Sequence, residues 1–101
     1  MTDRAYLSGT RPRAAARHKL FEPVVLRQDG APLRAHMLDL SVSGALLHAE
    51  RPPASGAHVT IAGELLTVSG RVVWMRGKRF GVQFELPITQ AMVQMALRVR
   101  V

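Results

Sequence analysis

The sequence contains no cysteine, so neither a disulfide framework nor a thiolate metal site can hold the fold together. Aromatic residues are scarce, with three Phe, one Tyr and one Trp. That leaves few platforms for the base stacking on which single-stranded nucleic-acid binders rely. Acidic residues are also few: seven Asp and Glu stand against fourteen Lys and Arg, a formal charge of +7. Such a balance favours an anionic partner, whether a phosphate ligand, a nucleic acid or an acidic protein face, without choosing among them. Nowhere does an apolar run reach the roughly 18 residues a membrane helix needs, and no apolar run follows the N-terminal charges. Neither membrane insertion nor a signal peptide is expected, and a cytoplasmic location is the default.

Enzymatic chemistry finds equally little support. There is no Walker-type phosphate loop, no visible Ser-His-Asp arrangement, and no acid–base partner for Glu50 or Glu64. His18, His36, His48 and His58 lack metal-ligand spacing. A hairpin symmetric about Val42 would nevertheless bring His36 opposite His48 as a cross-strand pair. The expectation is a binding protein with no cofactor and no metal.

What is present is a chain of 101 residues, 48% of them hydrophobic, enough for one domain that buries about 60–70% of its unfolded surface. Residues Met1 to about His18 show no apolar period, and Ser8-Gly9-Thr10-Arg11-Pro12-Arg13 mixes small, basic and helix-breaking residues. A mobile basic arm is expected there. From Leu20 onward, short apolar runs alternate with turn signals. Strands are predicted over Phe21–Arg27, Leu33–Leu40, Ala45–Ala49, His58–Ala62, Leu65–Met75 and Arg79–Phe84. Asp29-Gly30, Arg51-Pro52-Pro53-Ala54-Ser55-Gly56 and Arg76-Gly77-Lys78 supply breaks between them. In Leu65–Met75 the residues Leu66, Val68, Val72 and Trp74 share one parity, which predicts Trp74 in the core. After Pro87 the period changes to about 3.6, with Thr89 as N-cap and Met92, Val93, Ala96 and Leu97 as an apolar stripe. The expected fold is all-β with one C-terminal helix, a six-stranded antiparallel barrel with the helix across an open end or side. It divides into an arm over 1–18, a barrel over 19–86 and a helix over 87–101.

Two stretches carry the chemistry. Arg13-Ala14-Ala15-Ala16-Arg17 sets two guanidinium forks four residues apart, with Arg11 just before them. Asp39-Leu40-Ser41-Val42-Ser43-Gly44 reads as a polar turn in which period-two alternation puts Asp39 and Ser41 on one side and Gly44 closes the turn. Either alone has an ordinary explanation, as solvated charges or as a hairpin turn whose side chains bond their own backbone. Together and in this order, Arg-x-x-x-Arg then Asp-x-Ser-x-x-Gly, they resemble the paired signature of the PilZ domain, a bacterial receptor for the second messenger cyclic di-GMP.

The resemblance spans roughly Arg11 to Phe84 and implies the same barrel. It further implies that Arg13 and Arg17 bind phosphate or guanine edges, that Asp39 and Ser41 take guanine donors and polar ligand atoms, and that Gly44 lets ligand approach the backbone. Arg11 and Ser43 stand beside these as further candidates. Pro12 occupies a position that is frequently basic in that family, which leaves open whether one ligand or a stacked pair is bound. Three roles stay open: a cyclic di-GMP receptor whose arm orders over the ligand and signals through a protein partner or self-association, a nucleotide-independent adaptor, and a small basic barrel for nucleic acid. The low aromatic count argues against the last. Either a monomer or a homodimer is compatible with the sequence.

Overall fold

The computed structural model describes residues 16–64 and 66–98. Six antiparallel strands close into a barrel in the order β1-β2-β3-β6-β5-β4. Strand β1 covers His18–Gln28, β2 Ala31–Leu40, β3 Gly44–His48, β4 His58–Ala62, β5 Thr67–Arg76 and β6 Arg79–Phe84, and one helix, α1, covers Gln90–Arg98. Closure leaves no long unpaired edge, although the β1–β4 seam is short, running only from Val25 opposite Ala62 to Arg27 opposite Thr60.

The sequence cues work as expected at most joints. Asp29 and Gly30 both take positive φ, at 52° and 82°, so the two strands beside them meet in a two-residue hairpin with Gln28 opposite Ala31. Alternating apolar residues then turn inward from every strand. Leu26, Leu40, Leu47, Ile61 and Phe80 are sealed from solvent, together with Val72 from β5. Each such side chain contributes about 1.5–3 kcal/mol by burial. Strand β1 starts earlier than periodicity suggests, because His18 and Lys19 pair with Leu40 and Asp39 before a bulge between Lys19 and Glu22.

Helix α1 is capped as read from the sequence: the Met92 N–H donates to Thr89 Oγ1 at 3.1 Å. Its buried face, however, is Val93 and Ala96 with Leu97 alongside, and Met92 lies at the exposed margin rather than in the stripe. Residues spaced by three and four on the far side of Val93 simply rotate off the barrel.

Trp74 departs furthest from expectation. Opposite Val82 stands Val72, but opposite Gly81 stands Trp74, so β5 carries one extra residue between them. That bulge reverses the inward–outward parity of the strand beyond it. Trp74 therefore leaves the core and lies outside the barrel, 41% exposed, against the outward face of Gly81. A Cβ on Gly81 would approach indole atoms Cε2 and Cδ1 to 2.7 and 2.9 Å, so the ring occupies the space a side chain would take.

Candidate functional site

A second bulge shapes the other end of the same outer face. Met37 pairs with Leu47 and Asp39 with Leu46, so β2 gains a residue at Leu38 relative to β3. Without it Asp39 would share the inward parity of Met37. With it Leu40 turns into the core and the Asp39 carboxylate turns outward, where the Arg17 guanidinium donates to it at 2.9 Å. The Asp39 side chain is 14% exposed and that of Arg17 64%, so the carboxylate is held in place while most of the guanidinium still faces solvent. One Nη1 is engaged in this bond, and an arginine has five N–H donors.

Cross-strand pairing then fixes a row. Asp39 stands opposite Leu46, Leu46 opposite Gly81, and Gly81 opposite Trp74. Partners in a ladder project to the same side, so the row runs over four strands from a carboxylate–guanidinium pair, across a smooth floor of Leu46 and Gly81, to an indole. With about 4.8 Å between strands the row is roughly 14 Å long. A groove of about 270 Å³ follows it, lined by Arg17, Ser43, Gly44 and Leu46 together with Val73, Trp74, Gly81 and Gln83.

The polar turn forms the wall of this groove. Ser41 is buried, and its hydroxyl accepts from the Gly44 and Ser43 amides at 3.2 and 3.3 Å. The Ser41 N–H donates to the Gly44 carbonyl at 2.9 Å, which completes the turn. Ser41 thus builds the loop from inside, whereas the exposed Ser43 lines the groove. Gly44 is glycine for a reason other than turn closure: it is not among the positive-φ residues, and a Cβ there would meet the backbone carbonyl of Val82 at 2.5 Å. The missing side chain lets β3 lie close on β6. From the turn, the Val42 carbonyl receives the Ile88 N–H at 2.9 Å, which ties the motif to the lead-in of α1.

Arg17, Ser43 and Gly44 are therefore gathered on one groove, with Asp39 bound to Arg17 and Ser41 beneath the turn. Arg11 and Arg13 lie outside the described residues. Trp74, Leu46, Gly81 and Gln83 escaped the reading of the sequence, because the bulge that brings Trp74 outward is invisible to period-two counting. The cross-strand pairing of His36 with His48 occurs as expected. Among the described residues no group of three or more His, Cys, Asp or Glu is arranged to hold a metal ion, and no helix is long and apolar enough to cross a membrane.

Comparison with protein families matches residues 11–99 to the model described as PilZ domain. No curated protein matches the chain.

Proposed function

The chain belongs to the PilZ domain family, a family of cyclic di-GMP receptor and adaptor domains rather than of catalysts, and from that premise we propose that it binds cyclic di-GMP in the outer groove between Arg17 and Trp74. The observation that carries the proposal is the row Asp39, Leu46, Gly81, Trp74. Guanine offers acceptors O6 and N7 on one edge, donors on another and a flat face. A guanidinium, a carboxylate and an indole answer these in turn.

In this reading one guanine lies on the exposed indole face, over a floor kept smooth by Gly81. At the other end of the row Arg17 reads a phosphate or the O6/N7 edge of the second guanine bidentately, and Asp39, held by Arg17, accepts from that base's donors. Ser43 and the Gly44 backbone border the ligand, and Ser41 acts by keeping the turn in shape. The groove, at about 270 Å³, falls below the roughly 300–1,000 Å³ that encloses a drug-sized ligand. It suits part of a dinucleotide, and the rest requires a second wall. The arm supplies that wall by closing over the ligand with Arg13, and Arg11 beside it, on the phosphates and the second base. The signal then leaves through a protein partner or self-association.

Calorimetric titration tests the proposal. We expect micromolar or tighter binding, about 8 kcal/mol or more, with Arg17→Ala weakening it at least about tenfold. Absence of heat at both low and moderate salt would overturn the receptor reading in favour of a nucleotide-independent adaptor.

A further inference from the structure

A second surface shares Trp74 with this groove and runs beside it over the same four strands. The β5–β6 hairpin ends in Met75 opposite Phe80 and Arg76 opposite Arg79, joined through Gly77 and Lys78. Val73, Trp74 and Met75 are 49%, 41% and 46% exposed, three consecutive large apolar residues on the surface of a small barrel. A second groove, of about 340 Å³, is lined by Trp74, Arg76 and Arg79. Cross-strand pairing extends this edge from two guanidinium groups to two imidazoles: Arg76 opposite Arg79, Arg79 opposite His48, and His48 opposite His36. Phe21 stacks on His36, with ring centroids 4.5 Å apart.

The nearby acid does not offset this edge. Glu50 binds Lys78 at 2.7 Å, and that hydrogen bond and charge hold its carboxyl below the usual carboxylate range, with His48 adding to the effect. Arg76 and Arg79 have no ion-pair partner among the described residues.

We infer that this strip is a docking surface for an acidic, partly apolar segment of another protein. Exposed Trp, Met and Arg together are the composition of interface cores, whereas Lys and Glu prevail elsewhere on surfaces. The line from Arg76 to His36 spans four strands, roughly 14 Å, which matches about four residues of extended chain. Alternating side chains of such a segment would place carboxylates on Arg76 and Arg79 and an apolar group against Trp74. A second copy of this chain does not fit, since its seven acidic residues are scattered through the sequence. Nucleic acid fits less well, because among the described residues no Phe, Tyr or Trp lies on the line between Trp74 and the Phe21–His36 stack to take successive bases.

The test uses the full chain without nucleotide, so its failure is separate from failure of the ligand reading. A short peptide of alternating glutamate and leucine is titrated while the emission of Trp74, the only tryptophan, is followed. We expect the emission to change with saturable binding, and the double variant Arg76→Gln/Arg79→Gln to weaken that binding by about tenfold or more. Both arginines are exposed and lie outside the cyclic di-GMP groove, so the double variant should melt like the parent. A lysine–leucine peptide should not bind. The inference is overturned if the acidic peptide fails to bind, if the double variant binds it normally, or if a single-stranded oligonucleotide or phosphatidylglycerol vesicles bind in its place.

Discussion

Two glycines separate what holds the barrel from what shapes its groove. Gly44 faces a backbone carbonyl, that of Val82, which cannot move without the strand. Gly44→Ala should therefore cost about 1–3 kcal/mol by overpacking, and each kcal/mol lowers the melting temperature by about 4–8 °C in a domain this small. Gly81 faces the end of a side chain, the Trp74 indole, which can swing away. Gly81→Ala should leave melting nearly unchanged but displace the indole, shifting its fluorescence and weakening cyclic di-GMP. A melting loss as large as that of Gly44→Ala would show that the indole packs as core. Arg17→Ala should likewise leave melting within about 1 kcal/mol, because the Arg17 side chain is largely exposed and loses little packing. Arg17→Lys should bind ligand nearly as poorly as Arg17→Ala, since Lys keeps the charge but loses the fork. Normal affinity in the lysine variant would mean that charge alone is being read.

At the scale of elements, the turn and the bulges divide the work. The Ser41–Gly44 turn rests on one buried hydroxyl that serves two amides. Ser41→Ala should cost about 1–3 kcal/mol through the unsatisfied groups it leaves, with a fall in ligand affinity because Ser43 and Gly44 shift. If melting changes and binding does not, the turn is a fold element only. Thr89→Ala removes the N-cap of α1 and should cost about 1 kcal/mol, read as a shift in melting midpoint. The strands, the Asp-Gly turn and the Thr89 cap were legible in the sequence because each is set by residues within a few positions of one another. The bulges at Leu38 and Val73 were not. Each is defined by the register of a partner strand, and each inverts parity downstream, which is why Asp39 and Trp74 face outward where simple alternation points them in. The same limit explains Met92, whose exposure depends on how α1 rotates against the barrel.

For the whole molecule, the fold supplies a closed scaffold, and the proposed function puts specificity on one outer face. The net charge of +7 speeds the approach of any anion, so charge alone does not separate a dinucleotide from a polyanion. Salt does. Cyclic di-GMP has two phosphates, and its base contacts release no counterions, so affinity should fall only moderately between about 50 and 200 mM salt. A nucleic-acid site neutralising about 6–10 phosphates would lose a thousandfold or more over the same range. Whether ligand lies between Arg17 and Trp74 is decided by following amide and indole N–H resonances while cyclic di-GMP is added. We expect shifts at Arg17, Asp39, Ser43, Gly44 and Gly81, the largest at the Trp74 indole, with Arg76 and Arg79 little affected. Saturable shifts that spare Trp74 and the Asp39–Gly44 turn would place the ligand elsewhere on the barrel and contradict the groove assignment.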